Sequence, residues 1–399
     1  MNWKTEVLSL IKPSPEEQKQ VEKRIAVFID KLRSVVLVKV ILGGSGAKGT
    51  WLKGQHDADI FILFPASYES DKLSDITEQW LKKIGRFERF HGSRDYFRFY
   101  QDTFVFEVVP IRAIKKAEDA ANITDVSPLH AAWVKKKSTE KICDDIRLAK
   151  AFCKAQRMYG AESYISGFSG YVLEILIIHY GSFEKFLKAA AGWREGTIID
   201  YSHWYKNAQD VLLSINKAKL QSPLIVVDPV DKTRNAAAAL GVEKWELMKK
   251  KAAQFLRKPS ACFFTKAKMT PDMLKKKGKT VVLIEFSSPK GQHDKVGAKI
   301  VKTFEHVKKN LFDFGMIAAN WEWDDKVTFW FVVKTKKRPS SVLRKGPPLE
   351  MKEHVQQFMK KHKKIVKKSG HAWAQVKQTA TLKEVVHDVV EKGMKVRVF

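Results

Sequence analysis

Cysteine is scarce: only Cys143, Cys153 and Cys262 occur among 399 residues, with no CxxC spacing. That excludes a disulfide framework and a cysteine-rich zinc site, and it suits a reducing cytosol with the thiols as buried structural groups. Long apolar runs are missing too. The opening MNWKTEVLSL has no signal-peptide core, and the most apolar helix candidate, GYVLEILIIHY, is short and interrupted by Glu174. No membrane span is therefore expected, and a cytoplasmic location is. Acidic residues also fall short, at 44 Asp+Glu against 73 Lys+Arg, which leaves a net charge of +29. Such an excess favours a polyanion, and nucleic acid is the expected one.

What is present supports real cores, with 44% hydrophobic residues in a chain long enough for two to four domains. SPEEQKQVEKRIAVFIDKLR reads as a helix capped by Ser14, with Pro15 in its first turn and Val21, Ile25, Phe28 and Leu32 on one face. VVLVKVIL reads as a strand running into Gly43-Gly44-Ser45, with a helix expected from about AKGTWL. ADIFILF is continuously apolar, as a strand buried on both faces would be, and DYFRFYQDTFVFEVVPI reads as two strands or a hairpin.

From about 138 to 257 the pattern is helical. TEKICDDIRLAKAFCKAQRMYG is expected to end on Gly160, and GFSGYVLEILIIHYGSFEKFLKAA to form two helices divided at Gly181-Ser182. TRNAAAALGVEKWELMKKKAAQFL is expected to form two more, broken near Gly241. TVVLIEF, DKVGAKIVKTFEHVKKNLF and AANWEWDDKVTFWFVV then suggest a β-α-β-β unit. KTKKRPSSVLRKGPP reads as a linker, and KEHVQQFMKKHKKIVKK as one basic helix. Residues 334–399 hold 18 Lys+Arg and 5 Asp+Glu, so they carry +13 of the excess. Trp321, Trp323 and Trp330 fit core positions of a small sheet better than a base-stacking role.

The chemistry concentrates near one turn. Asp57 and Asp59 are two apart, so on a strand both side chains leave the same face. Two carboxylates that close repel unless a cation sits between them, and Mg²⁺ is the natural candidate because it binds carboxylates together with substrate phosphates. Glu107, the one acidic residue in FVFEVVP, is placed to be the third ligand of a two-metal site. Backbone N–H groups at Gly43, Gly44 and Ser45, with the serine hydroxyl, offer donors to phosphate.

A strand, a Gly-Gly-Ser turn, a dozen residues and an Asp-x-Asp pair opening a second strand resemble the nucleotidyltransferase superfamily that includes DNA polymerase beta. GTWLKG, YGAESYISGFSGYVLEILIIHYGSFEKFL and VVDPVDKTRNAAAAL narrow the resemblance to the archaeal, class I CCA-adding enzymes. The resemblance implies an α+β, multidomain chain: a catalytic head with a palm-like sheet (1–137), a helical neck (138–258), an α/β body (259–338) and a basic tail that binds tRNA (339–399). It implies untemplated addition of C, C and A to the tRNA 3′ end from CTP and ATP. The matching residues are Asp57, Asp59 and Glu107 for Mg²⁺, and Gly44, Ser45, Lys48, His130, Lys150 and Tyr159 for the triphosphate. Arg234 matches an arginine near the incoming base. Without the resemblance, His130, Lys150, Tyr159 and Arg234 would not stand out.

Four departures accompany the match. Lysine stands at 48 where arginine is expected, glutamate at 107 where aspartate is usual, VVPIRAI lacks the cysteine and tyrosine often seen after the proline, and the chain is somewhat short in its tail. A poly(A) polymerase-like transferase and a non-catalytic RNA-binding protein with a relic pocket are the competing readings. Oligomeric state is not readable from the sequence, a homodimer being one option.

Overall fold

A computed structural model describes residues 2–267, 270–275, 280–337, 341–362, 364–377, 380–390 and 393–399. The chain divides into two compact units, Met1–Ala267 and Lys268–Phe399.

The first unit opens with α1 (Trp3–Ile11) and α2 (Pro15–Arg33). Ser14 Oγ accepts from the Glu17 N–H at 3.1 Å, and Ile25, Phe28, Ile29 and Leu32 are buried, as the capping pattern and apolar spacing require. There follow β1 (Lys39–Leu42), α3 (Gly44–Lys48), β2 (Asp57–Phe64), α4 (Leu73–Leu81), β3 (Glu88–Phe90), β4 (Tyr96–Gln101) and β5 (Phe104–Arg112). The sheet order is β1-β2-β5-β4-β3, and only the β2–β5 pair is parallel. Phe28 stacks on Phe106 with ring centroids 4.0 Å apart, fastening α2 to the sheet.

The helical part comprises α5 (Ser127–Lys137), α6 (Glu140–Ala155), α7 (Gly170–Tyr180), α8 (Phe183–Ala191) and α9 (Ala208–Ser214), then α10 (Val242–Arg257). Between them lie the short strands β6 (Thr197–Ile199), β7 (Leu224–Asp228) and β8 (Asp231–Asn235). Phe152, Phe183, Phe186 and Phe255 fill its core. Helix α1 joins this core through Val7, and Lys4 Nζ bonds the buried Asp145 at 2.7 Å.

Several expectations change here. Strand β1 begins at Lys39, because α2 and its closing turn take up the chain through Val36. Helix α3 starts at Gly44 rather than near Ala47, and it is a single turn ended by Gly49 at φ 66°. Helix α6 ends at Ala155, with Arg157 at φ 61°, so Gly160 is not its cap. Gly160 instead pairs with Phe168, its N–H donating to the Phe168 carbonyl at 2.9 Å. TRN lies on β8 and the alanines after it form a turn, not a helix. Asn235 Oδ1 accepts from Val226 and Ala237 N–H, both at 2.9 Å, and this local bonding outcompetes helix propensity. Of the thiols, Cys153 is buried, Cys143 half-buried and Cys262 exposed, so burial as a class does not hold.

The second unit contains α11 (Pro271–Lys275), β9 (Thr280–Ser287), α12 (His293–Leu311), β10 (Met316–Trp323) and β11 (Lys326–Val333). After these come β12 (Ser341–Pro348), α13 (Lys352–Lys361), β13 (Ile365–Lys368), β14 (His371–Lys377), α14 (Leu382–Val389) and β15 (Lys395–Val398). One sheet runs β10-β11-β9-β15 and a second β12-β14-β13. Much of the stretch read as a linker is therefore strand β12, paired with β14, while residues 338–340 of it lie outside the described residues. The basic helix stops at Lys361, and Ile365–Lys368 is a strand. Trp330 is buried, whereas Trp321 and Trp323 are partly buried against the same unit's core. Among the described residues no helix is long and apolar enough to cross a membrane.

Candidate active site

The parallel register sets Asp59 opposite Glu107 and Asp57 opposite Val105. Strand β1 flanks β2 on its other side, and the Gly43 N–H donates to the Asp59 carbonyl at 2.7 Å. The glycine turn is thus bonded to the strand that carries both aspartates. A Cβ on Gly44 would stand 1.6 Å from Asp59 Oδ2, and Gly44 has φ 54°. Both the backbone conformation and the close approach require glycine. The Gly43 N–H expected as a phosphate donor is instead spent on Asp59. Since α3 is one turn long, donors to an anion come from the Gly44 and Ser45 N–H groups and the Ser45 hydroxyl rather than from a helix dipole.

Gly44→Ala is therefore expected to cut nucleotide incorporation by about 10²-fold or more, by displacing the Asp59 carboxylate. Gly49→Ala has similar backbone strain at φ 66° but open space around the new methyl. It is expected to cost about 1–3 kcal/mol of stability and to stay active. Incorporation rates and melting curves for both variants check this.

Burial pushes the Asp59 carboxyl up to about 6, and the charges of Glu107 and Asp57 add to the rise against the opposing pull of Lys48 and Lys150. That mutual repulsion, together with three hard oxygen donors at one edge of the sheet, fits a divalent cation. The carboxylates are neighbours rather than a closed cage. Among the described residues no group of three or more His, Cys, Asp or Glu side chains is set to hold an ion. Glu107 is engaged by Arg98, whose Nε and Nη2 both lie on Glu107 Oε1 at 2.7 and 2.6 Å. Arg98 in turn lies over the Phe90 ring, 4.6 Å from its centroid.

Lys48 and Lys150 meet on Glu174. Lys48 Nζ donates to Glu174 Oε2 at 2.7 Å, and Lys150 Nζ donates to Oε1 at 2.8 Å and to Thr50 Oγ1 at 2.9 Å. Glu174 is fully buried. Burial favours its neutral form, but the two lysines outweigh it and hold the carboxyl at about 2. Tyr159 lies beside this cluster: its hydroxyl would be 2.8 Å from a Cβ on Gly170, and Lys150 Cε 3.5 Å. The Lys154 ammonium sits 4.9 Å from the centre of the Tyr159 ring and senses the charge of Asp57.

His130 and Arg234 meet on a second buried carboxylate, Asp228. His130 Nε2 lies 3.0 Å from Asp228 Oδ2, and Arg234 Nη1 donates to the same oxygen. Tyr171 Oη donates to Oδ1 at 2.9 Å, and its ring stacks on His130 with centroids 4.0 Å apart. Lys48 Nζ is 6.0 Å from the centre of the Tyr171 ring, linking the two clusters. The residues singled out from sequence thus fall into three groups: the carboxylates with the glycine turn, the lysine pair with Tyr159, and the His130–Arg234 pair. Sequence reasoning missed the anions that organise the last two. Glu174 stood out only as an interruption of an apolar helix, which is the signal of a buried counter-ion. Asp228 entered only as one letter of the VVDPVDKTRNAAAAL block.

Comparison with known proteins adds the following. The family model described as nucleotidyltransferase domain matches residues 22–120, and tRNA nucleotidyltransferase, second domain, matches 144–265. CCA-adding enzyme, C-terminal domain, matches 277–394. The CCA-adding enzyme of Nanoarchaeum equitans is 31% identical, over 94% of this chain and 93% of its own. Those of Methanocaldococcus jannaschii and Pyrococcus abyssi are each 32% identical, over 90% and 97% of this chain and 84% and 89% of theirs. A crystal structure of Cid1 poly(U) polymerase with Mg 3′-dATP bound superposes with a TM-score of 0.53 at 14% identity, over 66% of this chain and 98% of that one. At that identity the likeness concerns the fold alone. Identity at this level along nearly the whole chain, with all three family models matched in order, shows that the chain belongs to the CCA-adding enzymes, the tRNA nucleotidyltransferases of archaeal type.

Proposed function

We propose that the protein adds C, C and A to the 3′ end of tRNA without a template, by attack of the RNA 3′-oxygen on the α-phosphorus of CTP or ATP. A bond forms between that oxygen and phosphorus, the α–β phosphoanhydride breaks, and pyrophosphate leaves. The observation that best supports this reading is the register that puts Asp59 beside Glu107, with the Gly43–Gly44 turn bonded to the same strand.

Asp57, Asp59 and Glu107 would hold Mg²⁺, which supplies activation of the 3′-hydroxyl and neutralisation of phosphate charge. The other roles belong to the chain itself. The Ser45 hydroxyl and the Gly44 and Ser45 N–H groups present donors to phosphate oxygens, and Lys48 and Lys150 supply positive charge against the triphosphate. In this structure both lysines are held by Glu174, so their ammonium groups are pre-positioned rather than drawn from solvent. His130 faces the phosphates and Arg234 the base. Residues 1–137 form the catalytic head, 138–258 the neck, and 259–399 the RNA-holding body and tail. The basic excess of 334–399 serves phosphate contacts with tRNA in the cytoplasm.

The deciding assay offers tRNA that stops before CCA, together with Mg²⁺, CTP and ATP. Growth by three nucleotides followed by arrest is expected. A long A tail would instead identify a poly(A) polymerase-like activity, and binding without growth a relic pocket.

A further inference from the structure

Asp228 is a buried carboxylate whose two oxygens receive four donors from separate parts of the chain. Oδ1 accepts from Tyr171 Oη on α7 at 2.9 Å and from the Val230 N–H of its own turn at 3.0 Å. Oδ2 faces His130 on α5 and Arg234 on β8. Burial alone would favour the neutral acid, but His130 and Arg234 prevail and keep the carboxyl at about 2, so it stays a carboxylate.

The two residues on Oδ2 are each bound on one side only. Arg234 uses Nη1, and among the described residues its Nε and Nη2 have no protein partner. His130 uses Nε2, and its Nδ1 likewise has none. The arginine side chain remains 29% exposed against 12% for the histidine, so its free edge faces outward. A guanidinium is a rigid planar fork, so anchoring one terminal nitrogen narrows the directions in which the other donors can point. The orientation of those donors matters for a base. On the Watson–Crick edge cytosine offers N3 and O2 as acceptors beside its amino group, whereas adenine offers N1 alone there.

We infer that Asp228 is a positioning residue for nucleotide selection: by holding Arg234 and His130 on one oxygen, it sets the angle at which the arginine meets the incoming base and couples that contact to the phosphate-facing histidine. The inference rests on the roles given to His130 and Arg234 under Proposed function. It goes beyond them in assigning selectivity to the buried carboxylate that holds both.

The test uses full-length protein and tRNA ending in CC, on which ATP should be chosen over CTP. In Asp228→Asn the Oδ2 acceptor loses its charge, and the ratio of kcat/KM for ATP to that for CTP is expected to fall roughly tenfold, with the larger change in KM for ATP. Equilibrium binding of ATP and CTP to the enzyme–tRNA complex should show the same loss of preference. Tyr171→Phe removes one donor from Oδ1 and leaves the Oδ2 pair intact, so its ratio should stay within about twofold of the unaltered protein.

Should Asp228→Asn not accumulate in folded form, Asp228→Glu keeps the charge, moves it by one methylene and is read the same way. An unchanged ratio in the folded Asp228 variant, even with a lower kcat, would overturn the inference. So would an equal fall in Tyr171→Phe, because that would mark general loosening. Failure of the unaltered protein to extend tRNA at all would instead reject the functional reading.

Discussion

Asp59→Asn should abolish nucleotide incorporation, lowering it by roughly 10³-fold or more, while leaving both tRNA binding and the fold intact. The carboxylate lies where the strand register and the glycine turn converge, and an amide of the same shape cannot supply its charge. Removing one of three neighbouring negative charges also relieves repulsion inside the folded protein. The melting temperature in metal-free buffer should therefore stay at or above that of the unaltered chain. Single-turnover incorporation, filter binding of tRNA and calorimetry read the three quantities separately. Incorporation near the original rate would remove Asp59 from the chemistry and reinstate the relic-pocket reading.

Glu174→Ala is expected to have the largest effect on stability. It leaves two ammonium groups facing each other in a buried site, and breaking one partner of such a cluster costs roughly 3–5 kcal/mol. At about 2 °C per kcal/mol for a unit of this size, the melting temperature should fall by roughly 6–10 °C. The informative companion is the triple substitution Lys48→Met, Lys150→Met, Glu174→Met, which replaces the whole cluster with apolar groups. It should recover most of the stability but not the incorporation, since the positive charges proposed to act on the triphosphate are gone. If the triple variant is no more stable than Glu174→Ala, packing rather than unpaired charge is what the glutamate supplies. The acid side has a definite sign. The Glu174 carboxyl is depressed from 4.5 to about 2, so its contribution is complete above about pH 4.5 and fades as the pH falls through 2.

Local patterns were readable where one force dominated. The Ser14 cap, the apolar stripe of α2, the continuous run of β2 and the Gly181-Ser182 break each follow from neighbours a few residues away. Errors arose where bonds between distant residues overrode local preference. The alanines after Arg234 favour a helix, yet Asn235 ties that stretch to Val226. The lysine-rich 361–368 stretch continues a helical pattern, yet Ile365–Lys368 pairs with β14.

The candidate site shows the same division. Asp57, Asp59, Ser45 and Glu107 could be singled out from spacing and residue type. His130, Lys150, Tyr159 and Arg234 needed a family resemblance, because the partners that give them meaning are far away in the chain. Glu174 is 126 residues from Lys48, and Asp228 is 98 from His130. Nothing in a local window says that a carboxylate in an apolar helix has two lysines waiting for it.

The one parallel pairing in the catalytic sheet also bears on how the enzyme comes into being. As the chain leaves the ribosome, the two aspartates emerge well before the glutamate, and β2 cannot meet β5 until the intervening helix and hairpin have doubled back. A nascent or truncated chain that stops short of β5 therefore carries only part of the acid set. Completion of the sheet is thus a precondition for altering the cell's tRNA, and copies that stop before it lack part of the acid set.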